Sequence, residues 1–209
     1  MIHQPVRPVP GIDTPAPLTW REALPTLVGQ GVTLREARLS DAEALFNVMR
    51  APDVSRFVAA PPATVELFRS FIHWAQRERS QGRYAFYVVI PAGGDTPVGL
   101  FQIRQTEQGF VTGQWGFALS PDYWGADLFM DAASLVLEFA FTIIGVHRLE
   151  ARAAVANLRG NAALSKLGAV HEGVLRSSFR RDGRRLDQSL WSLLADEWDA
   201  SQVREHSVH

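Results

Sequence analysis

The sequence predicts an α/β (α+β) domain, a mixed sheet with helices on both faces. Two observations carry this. Three segments of strand composition, residues 84–90, 98–104 and 110–119, follow one another across turn-rich joints, and so pair as hairpins. After them, strands alternate with helical stretches, the pattern of crossovers that cover a sheet.

Each element has a local reason. Residues 1–17 carry Pro5, Pro8, Pro10, Pro15 and Pro17, too many for a helix or a central strand. The expected division is a proline-rich arm at 1–30, a globular domain at 31–200 and a tail at 201–209, with Trp20, Leu24 and Leu27 pinning the far end of the arm. Residues 32–35 read as a strand. Ser40-Asp41-Ala42-Glu43 has the form of a capping box, and Leu45, Val48 and Met49 give the helix after it an apolar face as far as Pro52. A second helix is expected over 65–79, with Leu67, Phe68, Phe71, Ile72 and Ala75 at core spacing. YAFYVVI at 84–90 is a buried strand, AGGDTP turns the chain into 98–104, and Gln108-Gly109 turns it into 110–119. A helix then runs to about residue 144, with apolar positions three and four apart and Gly145 as its C-cap. A strand at 148–155, a short helix at 160–166 and two strands at 169–179 and 186–194 follow, the last two joined at Asp182-Gly183. The order is β-α-α-β-β-β-α-β-α-β-β.

Composition narrows the function. The 209 residues are 46% hydrophobic with a formal charge of −1, enough for one full core and no reason to propose nucleic acid as partner. There is no cysteine, hence no thiolate nucleophile, and the six histidines show no metal-ligand spacing, so no metal is expected. No run is long enough to span a membrane and residues 1–11 lack a signal-peptide core, which makes the cytoplasm the expected compartment.

The stretch YWGADLFMDAASL, from Tyr123, lies where a strand gives way to a helix. Such a place cradles phosphates with backbone N–H groups, and it favours small uncharged residues. Asp127, Phe129 and Asp131 depart from that. Asp127 can be read as the cap of its own helix. It would then compete with an anion for the same N–H groups, and two unit charges 4 Å apart oppose each other by about 4 kcal/mol at an effective dielectric near 20. Arg176, Arg180, Arg181, Arg184 and Arg185 surround the last hairpin, either as a solvated surface beside Asp182 and Asp187 or as a basic patch that favours an anion. His147 reads as structural, and His171 is left open as a base.

The segment at 145–176, GVHRLEARAAVANLRGNAALSKLGAVHEGVLR, together with LREARLSDA, ALSPDYWG and DQSLWSLLADEW, resembles the GNAT superfamily of acetyl-CoA-dependent N-acetyltransferases. The nearest branch is that of the ribosomal-protein N-terminal alanine acetyltransferases. The resemblance covers residues 32–198. It implies a mostly antiparallel GNAT-like sheet, splayed between its fourth and fifth strands, in which the pantetheine of acetyl-CoA lies along Phe117, Ala118 and Leu119. It places the pyrophosphate on Trp124, Gly125, Ala126, Asp127, Leu128 and Phe129, and Asn157 beside the cofactor. The family turn reads Gln/Arg-x-x-Gly-x-Gly/Ala, and here only Gly125 and Ala126 are small. Gln114 stands where the branch has a catalytic Glu, and Gly160 stands where it has a Ser. Asn161 and Ser165 are the nearby polar candidates. The implied activity is acetyl transfer to a primary amine, a protein N-terminus or a small molecule, by a monomer or homodimer. The alternative is a non-catalytic module that binds a CoA ester or a protein partner.

Overall fold

The computed structural model describes residues 19–125 and 127–198. Within them eight strands form one sheet in the order β1-β2-β3-β4-β5-β6-β8-β7. These are β1 (Leu27–Val28), β2 (Val32–Glu36), β3 (Tyr84–Pro91), β4 (Gly99–Gln105), β5 (Thr112–Leu119), β6 (Arg148–Ala154), β7 (Val170–Arg181) and β8 (Arg184–Leu194). The helices are α1 (Ala42–Arg50), α2 (Pro52–Ser55), α3 (Val65–Ser80), α4 (Leu128–Glu138) and α5 (Leu158–Lys166). Of the pairings, β5–β6 is parallel and the others are antiparallel.

Strand β3 shows why the sheet is covered twice. Tyr84, Phe86, Val88 and Ile90 pack with Leu45 of α1 and Phe68, Ile72 and Ala75 of α3. The alternate residues Ala85, Tyr87 and Val89 pack with Ala133, Val136 and Leu137 of α4. A strand buried on both faces reads as an unbroken apolar run, which is what YAFYVVI is.

Four local features differ from the sequence reading. First, Leu27 and Val28 add a short strand antiparallel to Leu34 and Thr33. Trp20 meets Phe110 and Phe139 edge-on, 5.9 and 6.5 Å between centroids, and Leu24 is buried. Second, Ser40 and Glu43 form no capping box. Instead the carboxylate of Asp41 accepts from the N–H of Arg38 at 2.7 Å and takes both terminal nitrogens of Arg35, at 2.7 and 2.9 Å. Third, Pro52 does more than stop a helix: it opens α2, where its missing N–H costs nothing. Fourth, α4 widens into a π-helical turn over Phe139–Ile144 before Gly145 ends it at φ 80°.

Asp131 also has a partner far away in the sequence. Its carboxylate accepts the N–H of Gly31 at 2.8 Å and lies 2.4 Å from where a Cβ on Gly29 would stand. It ties the β1–β2 turn to α4 and leaves no room for a side chain at Gly29.

At the far end of the sheet Arg148 of β6 binds Glu172 of β7 through two nitrogens, at 2.7 and 2.6 Å, and Ser192 of β8 donates to the same carboxylate at 2.6 Å. The Arg148 guanidinium first, and Ser192 second, hold the Glu172 carboxyl down at about 2. A carboxyl lower in the folded than in the unfolded state, where it is about 4.3, stabilises the fold above the unfolded value and loses that contribution as pH falls towards 2. Glu172→Gln is therefore expected to lower the thermal midpoint at pH 6 and to narrow its gap to wild type between pH 4.5 and pH 2. A gap that stays constant with pH would refute this.

Candidate functional site

The site begins where two strands part. β5 pairs with β4 along its length, from Gly113–Gln105 to Leu119–Gly99, and β6 pairs with β8 along its own. Between β5 and β6 the pairing holds only for Thr112, Gly113 and Gln114 against Arg148, Leu149 and Glu150. Past that point the edge of β5 from Trp115 to Leu119 faces a gap. The carbonyl of Leu119 is met by the indole N–H of Trp124 at 2.9 Å, which folds the turn after β5 back over the strand end.

A cavity of 740 Å³ opens at this gap. That is within the range of small-molecule sites. Its lining includes Phe117, Ala118, Leu119, Trp124, Gly125, Asp127, Phe129 and Asn157. The structure thus brings eight of the sequence candidates to one wall. Leu128 instead packs its side chain against the core, and Ala126 lies outside the described residues.

The start of α4 forms one end of this cavity. Asp127 has helical backbone angles, φ −66° and ψ −11°, and its side chain caps nothing. An N-cap residue is normally extended, which lets its side chain reach the N–H groups of the next turn. Asp127 cannot do so, and the capping reading of it is corrected. With Asp131 turned towards Gly31, neither carboxylate takes a hydrogen bond from the N–H groups of the helix start. Gly125 has φ 79°, and that left-handed angle explains why a glycine stands there. Phe129 is a wall residue, 4.7 Å from the ring of Phe117 and 6.0 Å from that of Phe101.

Cations that the sequence reading did not nominate for the site also line the cavity. Arg56, Arg159 and Lys166 line it, together with Asp53 and Asp127. Arg56 is paired with Asp53 at 3.0 Å. Arg159 lies over the ring of Trp124, 4.6 Å from its centroid. Among the described residues neither Arg159 nor Lys166 has a carboxylate partner in the ion pairs of the fold, and both line the cavity that Asp127 also lines. Their signal was available: both lie on α5, the helix that Asn157 caps, but only the fold brings that helix to the cavity.

The polar candidates separate from the cleft. The carboxamide of Asn161 gives its N–H groups to the carbonyls of Ala154 and Asn157, at 2.9 and 2.8 Å, and accepts from the indole of Trp191 at 2.9 Å. It joins α5 to β6 and β8. Ser165 is exposed near the end of α5, outside the cavity lining. Gln114 sits at the fork itself and accepts from Arg104 at 2.5 Å. Asn157 caps α5 by accepting from the N–H of Gly160 at 3.0 Å, and a Cβ at Gly160 would fall 2.5 Å from the Asn157 amide nitrogen. That contact accounts for glycine at the position. The arginine-rich hairpin and His171, whose ring is 5.0 Å from Trp191, contribute nothing to the cavity lining.

A second cavity, of 190 Å³, adjoins the first on the α1–α3 side of the sheet, and Val58, Phe117 and Ala118 line both.

This geometry has known counterparts. Residues 32–170 match the family described as Acetyltransferase (GNAT) domain. The uncharacterized N-acetyltransferase p20 of Bacillus licheniformis is 26% identical over 174 residues, 83% of this chain and 98% of that protein. In fold, the chain is similar to Mycobacterium smegmatis RimJ in complex with CoA-disulfide, with TM-score 0.76 and 24% identity over 87% of this chain and 92% of the other. It is likewise similar to the ribosomal-protein-S5-alanine acetyltransferase of Vibrio fischeri, with TM-score 0.75 and 19% identity over 83% and 98%.

Proposed function

The chain belongs to the GNAT acetyltransferase family, and from that membership we propose that it transfers acetyl from acetyl-CoA to a primary amine by direct attack on the thioester. One observation carries the reading. The unpaired edge of β5, the uncapped start of α4 and the cations Arg159 and Lys166 all face a single cavity. An extended pantetheine suits the strand edge, and a pyrophosphate suits the free N–H groups of a helix start.

The chain's own residues then supply position more than proton transfer. Phe117, Phe129 and Trp124 give the cleft apolar walls, and backbone N–H groups of β5 are placed to polarise a carbonyl. The amine nitrogen bonds to the carbonyl carbon, the C–S bond breaks, and the proton lost by nitrogen ends on the departing sulfur. An α-amino group, with pKa about 7.7–8, is partly neutral at pH 7.5, whereas a lysine amine at about 10.4 needs a base. A protein or peptide N-terminus is therefore the first acceptor proposed, and a small amine of low pKa the second.

Calorimetric titration with acetyl-CoA, followed by turnover against a panel of amines, tests this. Micromolar binding with transfer is expected, and no binding at millimolar acetyl-CoA would refute it. Binding without any transfer would favour a module that holds a CoA ester, the role that Gln114 and Gly160 leave open. The reading also fixes a pH dependence. The midpoint of log kcat/KM against pH is expected to move with the pKa of the amine when amines of different pKa are compared. A midpoint fixed across amines would show that a protein group takes the proton.

A further inference from the structure

We propose that the 190 Å³ cavity receives the side chain of the acceptor, and that this side chain is apolar and of branched-aliphatic or aromatic size. The inference rests on the acetyl-transfer reading of the larger cavity. The two cavities share Phe117 and Ala118 on β5 and Val58 on the chain after α2. An amine that reaches a thioester held along Phe117 from the α1–α3 face therefore has its substituent in the smaller cavity.

The lining defines what fits. Met49, Pro61, Phe71, Phe86 and Leu100 are among its walls, and Gln102 is its one polar side chain. Phe71 meets Phe86 edge-on at 5.2 Å, so the aromatic wall is built into the core. The volume equals roughly six waters at about 30 Å³ each. That admits four to six carbons. No charged residue lines it, so an ionic substituent would lose its water without a partner.

Gln102 adds direction. It lies opposite Gly116 in the β4–β5 ladder, and its amide nitrogen is 3.3 Å from where a Cβ on Gly116 would be. The carboxamide thus rests across Gly116, where a Cβ would crowd it. Its oxygen accepts from the hydroxyl of Tyr84, a buried phenol whose pKa burial pushes up. What remains for a ligand is an N–H donor, suited to a carbonyl oxygen next to the amine-bearing carbon. An amino-acid amide or a peptide N-terminus with an apolar first residue presents both features.

The test is direct binding of amino-acid amides to the full chain, saturated with non-reactive CoA. Leucinamide and asparaginamide have nearly the same shape and differ in polarity. Each buried methylene favours binding about fourfold, so leucinamide is expected to bind at least tenfold more tightly than asparaginamide. Met49→Trp, which fills the cavity from α1, is expected to weaken leucinamide at least tenfold while acetyl-CoA affinity stays within twofold. Equal affinities of the two amides for the wild-type chain, or no binding of either, overturn the proposal. If acetyl-CoA itself fails to bind, the acetyl-transfer reading falls, and the same comparison on the chain without CoA still decides the polarity of the smaller cavity.

Discussion

Arg159→Glu is expected to weaken acetyl-CoA binding by about a hundredfold. The guanidinium is held in place by the Trp124 ring, 4.6 Å below it, and lies in the cavity wall with Asp127. Two unit charges 4 Å apart interact by about 1 kcal/mol in water and about 4 kcal/mol at an effective dielectric near 20. A partly open cavity lies between those limits, so reversing one charge, a change of two units, amounts to roughly 2.7 kcal/mol. Because the pair is not sealed from solvent, the loss should shrink as salt rises. Asp127→Asn is the paired control and is expected to tighten binding by about fivefold. Since Asp127 caps no N–H group, its removal leaves α4 without a lost hydrogen bond. Phe129 should stay as it is: its ring is stacked on Phe101 and packs at a tilt against Phe117, and truncating it would cut a hole in the cavity wall. Calorimetry on the two variants decides the matter. An Arg159→Glu protein within threefold of wild type would sink the charge balance proposed for the cleft.

Asp41→Ala is expected to destabilise the fold by about 3–5 kcal/mol, the usual effect of removing one partner of a buried ion pair. The Asp41 side chain is 5% exposed and that of Arg35 is 15% exposed. The carboxylate satisfies two guanidinium nitrogens and the backbone N–H of Arg38 together, so its loss strands three donors. In a chain of this length each kcal/mol moves the thermal midpoint by about 2–4 °C, so a fall of about 6 °C or more is expected. Acetyl-CoA affinity should change little, because Asp41 lines neither cavity. A fall under 2 °C would mean that Arg35 finds another partner or reaches water.

Legibility followed the range of the interactions. Helix α3 was readable because its apolar spacing, Leu67, Phe68, Phe71, Ile72 and Ala75, is written within a few residues; its Thr64 cap, accepting from the N–H of Leu67, went unread. Ser40-x-x-Glu43 misled for a local reason that a distant residue overrides. Asp41 bonds to Arg35 on β2, and this sets the backbone before α1 in a different conformation from the one a capping Ser requires. Asn161 was nominated for its polarity and its place, but its three hydrogen bonds run to β6, the α5 cap and β8. A sequence shows that a side chain is polar; it does not show whether that polarity is already spent.

By itself the sequence determined the order of the longer strands and helices, though not β1 or α2, the burial of β3 and, through motifs in register, the family. These rest on periodicity and on turn chemistry, which act between near neighbours. Only the tertiary structure decided what the departures at Asp127, Phe129 and Asp131 mean. One carboxylate lies in the cavity without capping, one aromatic ring builds its wall, and the other carboxylate reaches across 100 positions to Gly31. It alone also brought Arg159 and Lys166 to the cavity that Asp127 lines, and placed an apolar cavity beside Phe117. Electrostatics and packing depend on distance in space, and residues of α4 and α5 come to line one cavity where β5 and β6 part after three paired residues.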